Sequence, residues 1–87
     1  MISRKVVITN RLGLHARPAS NFTKIATQFK SDIKVINGKK QYNPKSLIGI
    51  LAACIKCGHE IEITCDGEDE NEAMEALIEG IESGLGE

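Results

Sequence analysis

Residues 60–81 read EIEITCDGEDENEAMEALIEGI, and the first seven alternate polar with apolar side chains. Ile61, Ile63 and Cys65 therefore share one side of this segment, a pattern typical of a strand with one face in a core and the other in water. Further along, apolar residues recur at three- and four-residue spacing, which predicts a helix with one buried face that ends near Gly84. The residues of that apolar stripe are Ala73, Met74, Leu77, Ile78 and Ile81.

The same alternation predicts three more strands, all earlier in the chain. Ile2–Thr9 is the first, and a second begins at Ile33. The Asn-Gly dipeptide at 37–38 favours a two-residue hairpin, because both positions tolerate positive φ. A short third strand, Lys40–Asn43, should follow that turn.

Two more helices are predicted before residue 60. The first predicted helix is Ala16–Gln28, in which apolar residues recur at helical spacing and form one stripe that can be buried. The second, Ser46–Cys57, is largely apolar, begins with a hydroxyl able to cap free amides, and is followed by Gly58. Asp69 with Glu72 three residues later resembles a capping box at the start of the last helix.

The element order is thus strand, helix, strand, strand, helix, strand, helix. Strands that are apolar on one side only imply a sheet with all its helices on one face, which is an α+β open-faced sandwich. A chain of 87 residues has room for one compact core, so we expect a single domain over residues 1–87.

Composition excludes several classes of function. Lys and Arg number 11 against 12 Asp and Glu, and no long basic run is present, so nucleic acid is a poor candidate partner. The first residues, MISRKVVITN, alternate instead of forming the apolar run of a signal peptide or membrane span. Three cysteines without framework spacing suit reduced thiols, and we therefore expect a cytoplasmic protein with no insertion into membranes.

The run GLHARPA at 13–19 places His15 where a loop becomes the first helix. The first amides of a helix lack internal partners and carry a partial positive charge, so a phosphoryl group on the imidazole would be stabilised there. Pro18 suits a first turn, and the Arg17 guanidinium suits phosphate oxygens. Imidazole is a nucleophile in its neutral form, so His15 could attack a phosphoryl donor without a separate base.

A surface histidine at a helix start can also have no function, and a lone histidine would be interpreted in that way. Arg17 and Pro18 make this interpretation unattractive for His15. His59, between Gly58 and Glu60, has no such neighbours and is predicted to be an ordinary loop residue.

Together with PKSLIGIL at 44–51, the GLHARPA motif resembles the histidine-containing phosphocarrier (HPr) family of the bacterial phosphoenolpyruvate-dependent sugar phosphotransferase system, in its Gram-positive form. The resemblance covers essentially the whole chain. It implies that His15 accepts phosphate from Enzyme I through Nδ1 and donates it to the IIA domains of sugar permeases, while Arg17 and Pro18 assist. It also implies a four-stranded antiparallel sheet, a monomeric carrier that is not itself an enzyme, and no cofactor.

Ser46 should cap the second helix, as many serines do. The resemblance implies a second role, phosphorylation by a dedicated kinase (HPr kinase/phosphorylase), which would add negative charge at the helix start and repel acidic partner surfaces. It further implies an apolar rim that docks partners, and recognition of the phosphoserine form by a catabolite-control transcription factor. The predicted partner-binding residues are Ala16, Ser20, Leu47, Ile48 and Leu51.

Two other functions remain open. The chain could be mainly a regulatory binding module that acts through phosphorylated Ser46 in carbon catabolite control, although the presence of His15 argues against this. It could instead use Cys54 and Cys57, whose C-x-x-C spacing can mark redox or metal chemistry. A zinc site would need two more ligands, and the pair falls late in a short helix, so no metal site is predicted.

Overall fold

Four strands and three helices make up the computed structural model, which describes residues 1–86. In chain order they are β1 (Ile2–Val7), α1 (Ala16–Ala26), β2 (Asp32–Asn37), β3 (Lys40–Tyr42), α2 (Leu47–Ala52), β4 (Glu60–Asp66) and α3 (Glu70–Glu82). The order confirms the one predicted from the sequence. None of the helices in residues 1–86 has both the length and the apolar character that crossing a bilayer requires.

All four strands form one antiparallel sheet in the order β1-β4-β2-β3. The strand with the clearest alternation, β4, is therefore central, and its Ile63 lies between Arg4 of β1 and Val35 of β2. Ile61, Ile63 and Cys65 are buried, whereas Glu60 and Asp66 are exposed. The open-faced sandwich is thereby confirmed.

The helices cover the inner face of this sheet. α3 packs against β1 and β4, and α1 packs against both α3 and α2. Phe22 of α1 and Leu77 of α3 are fully buried in the same apolar cluster as Ile63 of the sheet. α1 and α2 are therefore neighbouring helices.

The predicted end of the second helix is wrong by five residues. α2 ends at Ala52 instead of Cys57, because Cys54 adopts a left-handed φ of 51° that a helix cannot continue through. Ile55 then turns into the core, where only 3% of it is exposed. The first helix is also shorter than predicted: α1 ends at Ala26, and the amide of Gln28 bonds to Ile25 in a tighter turn.

Asp69 does not form the predicted capping box, since its side chain makes no bond at the start of α3. Its carboxylate instead accepts hydrogen bonds from the amides of Lys30 (2.8 Å) and Ser31 (2.9 Å) and from the Ser31 hydroxyl. Three donors from the segment before β2 outweigh the single amide that a capping box would offer. Asp69 therefore joins the start of α3 to the start of β2.

These bonds predict a pH dependence of stability. They lower the pKa of Asp69, first through the Ser31 hydroxyl and then through the Lys30 amide. A carboxyl with a lowered folded-state pKa stabilises the fold above its unfolded pKa, and this stabilisation disappears as pH falls below about 4. Urea titrations at pH 7 and pH 3 should therefore show a smaller loss of unfolding free energy for Asp69→Asn than for the wild type.

Asp32→Asn is the control for this titration. Asp32 is 71% exposed and only approaches Lys34, at 3.9 Å. The unfolding free energy of Asp32→Asn should depend on pH in the same way as that of the wild type. An Asp69→Asn variant that loses as much stability as the wild type on acidification would contradict the assigned role of these bonds.

Candidate functional site

His15 occupies the N-cap position of α1. Its backbone is extended (φ −76°, ψ −171°), and its carbonyl accepts the first helical bond from Ala19, at 2.9 Å. The ring makes no capping bond and is half-buried, so part of it reaches solvent. The predicted histidine thus lies at the surface, at the positive end of a helix.

The first turn of α1 has few hydrogen-bond donors and no acidic side chain. Pro18 supplies no amide and is buried, so the helix start offers the N–H groups of Ala16 and Arg17. Neither amide has a helical partner, because the ladder begins with Ala19. An anion on His15 would therefore meet unpaired donors and no carboxylate from this turn.

The Arg17 side chain is exposed and follows His15 by two residues. Within the part of the chain that the structure describes, its guanidinium makes no ion pair or hydrogen bond. Among residues 1–86, no carboxylate has to be displaced before this guanidinium contacts phosphate oxygens. A guanidinium in this position can supply two parallel donors to a phosphoryl group.

The His15 ring lies close to its own loop. Nδ1 is 3.3 Å from the carbonyl oxygen of Gly13. A carbonyl only accepts, so this hydrogen bond exists only when Nδ1 carries the proton. Attack by Nδ1, the atom that the family resemblance implies, requires the tautomer in which Nε2 carries the proton and this bond to Gly13 is absent.

The loop before α1 is fixed by a contact that the sequence did not reveal. The Leu14 amide donates to the Ile55 carbonyl at 2.9 Å, and a Cβ on Gly13 would lie 2.3 Å from the same oxygen. Gly13 also has a φ of +68°, which favours glycine. The segment after α2 therefore supports the loop that carries His15. A turn glycine is visible in the sequence, but its distant partner is not.

Ser46 caps α2, as predicted. Its backbone is extended, and its Oγ accepts a hydrogen bond from the Gly49 amide at 3.1 Å. The residue is exposed, so its hydroxyl can be reached from solvent.

α2 divides its apolar residues between core and surface. Ile50 is fully buried, whereas Leu47, Ile48 and Leu51 are 38%, 81% and 40% exposed. Of the other two predicted contact residues, Ala16 is exposed and Ser20 is half-buried. Leu12, in the loop before His15, is a further exposed apolar side chain (71%) that no pattern in the sequence indicates as a contact residue.

The cysteines form no metal centre in residues 1–86, where no group of three or more potential ligands is gathered. Cys54 and Cys57 are exposed thiols, and Cys65 is buried in the sheet. Burial raises the pKa of the Cys65 thiol to about 11, which makes it unreactive near neutral pH. His59 is an exposed loop residue, as predicted, and its Nδ1 accepts from the Lys56 amide at 3.4 Å.

Comparison with known proteins gives consistent results. A family model described as "PTS HPr component phosphorylation site" matches residues 2–83. The chain is 44% identical over 77 residues to the phosphocarrier protein HPr of Mycoplasma capricolum, covering 88% of this chain and 86% of that protein. It superposes on a crystal structure of HPr-C-His from Thermoanaerobacter tengcongensis with a TM-score of 0.96 and 40% identity, covering 100% of this chain and 98% of the other.

A second type of relative is also similar. The HPr-like protein Crh of Halalkalibacterium halodurans is 40% identical over 82 residues, which cover 94% of this chain and 98% of that protein. Sequence motifs, fold and relatives agree, and the chain belongs to the HPr family of the phosphotransferase system (PTS), whose members carry a phosphoryl group and are not themselves enzymes.

Proposed function

We propose that His15 is the phosphoryl acceptor, that Enzyme I is the donor, and that IIA domains of sugar permeases receive the group. The observation that carries this proposal is the half-exposed imidazole at the start of α1, in a first turn without acidic residues. Arg17 and Pro18 complete the site.

The transfer chemistry follows from these groups. A ring nitrogen of neutral His15 attacks the phosphorus, a nitrogen–phosphorus bond forms, and the bond from phosphorus to the donor breaks. The two free amides of the first turn and the Arg17 guanidinium offset the negative charge that arrives. Transfer to the acceptor reverses these events on the other partner, so the chain ends unchanged.

The chemical stability of the phosphoprotein tests this assignment. Incubation with phosphoenolpyruvate and Enzyme I should give a modification that acid removes and base does not, as expected for a phosphoramidate. An acid-stable product would instead indicate a phosphate ester and would contradict transfer through histidine.

Partner docking is assigned to the surface formed by Ala16, Ser20, Leu47, Ile48 and Leu51, here called the rim. Exposed apolar side chains on one short helix suit a protein interface, and α1 packs beside α2. Titration of isotope-labelled protein with Enzyme I should shift amide signals of α1 and α2. Shifts confined to the open face of the sheet would exclude this surface.

We further propose that phosphorylation of Ser46 by HPr kinase/phosphorylase lowers the affinity for Enzyme I and IIA partners. The hydroxyl is exposed and sits directly before Leu47 and Ile48 of the rim. Added negative charge is compatible with a helix N-terminus but repels an acidic partner surface.

A Ser46→Asp variant should therefore bind Enzyme I roughly ten-fold more weakly, about 1.4 kcal/mol, with its unfolding midpoint little changed. Ser3→Asp is the matched control, because Ser3 is exposed in β1, outside the two helices. Calorimetric titration of both variants measures the difference. If the two variants bind Enzyme I with equal affinity, the proposed regulation through Ser46 is contradicted.

The similarity to Crh, which in Bacillus subtilis is described as the catabolite repression HPr, favours a second candidate function. This is a regulatory module that acts mainly through phosphorylated Ser46 and a catabolite-control transcription factor. Complementation distinguishes the carrier from the regulatory module. A carrier should restore sugar uptake to a bacterium that lacks its own HPr, whereas a purely regulatory protein should not.

The carrier is proposed to act as a cytoplasmic monomer. Gel filtration would test its oligomeric state, and cell fractionation would test its location.

A further inference from the structure

The loop that carries His15 is tied to a distant part of the chain by one buried side chain. Asn10 is only 4% exposed, and its Nδ2 donates to the Gly84 carbonyl at 2.8 Å. A buried amide donor is costly unless it is hydrogen-bonded, so this contact favours one position of residue 10.

The acceptor segment is itself fixed without Asn10. Asn21 of α1 donates through Nδ2 to the Leu85 carbonyl at 2.6 Å, and the Leu85 side chain is buried, with 3% exposed. Gly84 therefore belongs to a segment that α1 and the core already hold. It can serve as a fixed point for the loop.

Two contacts of the Gly13 backbone link Asn10 to His15. The Gly13 amide donates to the Asn10 carbonyl at 2.9 Å, and the Gly13 carbonyl lies 3.3 Å from His15 Nδ1. A displaced Asn10 would move the atom that the imidazole faces. The Leu14–Ile55 bond holds the other side of the same loop.

We propose that Asn10 is a positioning residue for phosphoryl transfer: its bond to Gly84 sets the loop so that the His15 ring is held at the start of α1. The inference rests on the proposed function of His15. Since the reacting nitrogen must meet phosphorus with correct geometry, a small displacement of the ring lowers the rate constant more than it lowers partner affinity.

Two variants separate positioning from general stability. Asn10→Ala and Asn21→Ala each remove one bond to the 84–85 segment. In Asn21→Ala that segment is still held by the buried Leu85 side chain and by the bonds from the Gly84 and Leu85 amides to the end of α3, so only Asn10→Ala releases the loop. We expect Asn10→Ala to lower the limiting rate of transfer from phosphorylated Enzyme I about ten-fold, with the half-saturating concentration within about two-fold of the wild type. Asn21→Ala should keep the wild-type rate at temperatures where both variants are folded.

A spectroscopic measurement adds a readout independent of turnover. The NMR signals of the His15 ring and the Gly13 amide should shift in Asn10→Ala and stay in place in Asn21→Ala. If Asn10→Ala does not fold, Asn10→Asp, which keeps the shape and lacks the donor, should show the same loss of rate. Wild-type rate in a folded Asn10 variant, or an equal loss in Asn21→Ala, would overturn the proposal.

Failure of this inference is distinguishable from failure of the proposed function. If the wild type is not phosphorylated on His15, the function fails and no positioning role exists. If it is, and the Asn10 variants transfer at the wild-type rate with unchanged ring signals, only the role of Asn10 is lost.

Discussion

Replacing His15 with alanine is expected to abolish phosphorylation by Enzyme I and phosphoenolpyruvate completely. Alanine has no nucleophilic atom, and the free amides of the α1 start then have no group on which a phosphoryl could be held. Transfer should fall below detection in an assay with radiolabelled phosphoenolpyruvate. Sugar uptake in a complemented strain should disappear with it.

His59→Ala is the matched control, because it removes the only other imidazole in the chain. His59 is an exposed loop residue with no helix start beside it, so labelling should match the wild type. His15→Ala should also remain folded, since the ring is half-buried and makes no capping bond. Undiminished labelling of a folded His15→Ala protein would refute the assigned acceptor.

Local patterns were enough to predict most of the fold. Two-residue alternation indicated β4, because one face of that strand is buried under α3 while the other stays in water. The candidate site could be predicted as a group, because His15, Arg17 and Pro18 lie within four consecutive positions at a helix start. Ser46 could be predicted as a cap for the same reason, since capping depends on residues three apart.

Features that depend on distant partners could not be predicted. Asp69 has the sequence of a cap, but donors at residues 30 and 31 compete for its carboxylate. α2 ends before its predicted boundary because the chain leaves the helix to bury Ile55 in the core. The tie from Asn10 to Gly84 joins residues 74 apart, and no periodicity signals a contact of that kind.

Gly13→Ala should be the most damaging small substitution in the loop. A methyl group there would lie 2.3 Å from the Ile55 carbonyl oxygen and 2.7 Å from the Lys56 Cα, both backbone atoms that cannot rotate away. The residue also has a φ of +68°, which costs an alanine roughly 1 to 2 kcal/mol. Relief of the clash would separate the loop from residues 55–56 and break the Leu14–Ile55 bond, a further loss of about 1 kcal/mol.

Together these effects predict a loss of roughly 3 to 5 kcal/mol in unfolding free energy, and a fall of at least about 10 °C in Tm. Transfer through His15 should also slow more than ten-fold at temperatures where the variant is folded, because the loop no longer has a fixed support. Urea and thermal unfolding measure the first effect, and single-turnover transfer from Enzyme I measures the second.

Gly38→Ala separates strain from contact. Gly38 has nearly the same φ, +67°, but, among residues 1–86, no heavy atom outside residues 37–39 lies within 4 Å of the position that its Cβ would take. Its substitution should therefore cost only the backbone strain of roughly 1 to 2 kcal/mol and leave transfer unchanged. The difference between the two variants measures the close approach of the His15 loop to the segment after α2. If both substitutions are equally destabilising, residues 55–56 move without cost to relieve the clash, and they do not hold the His15 loop in place.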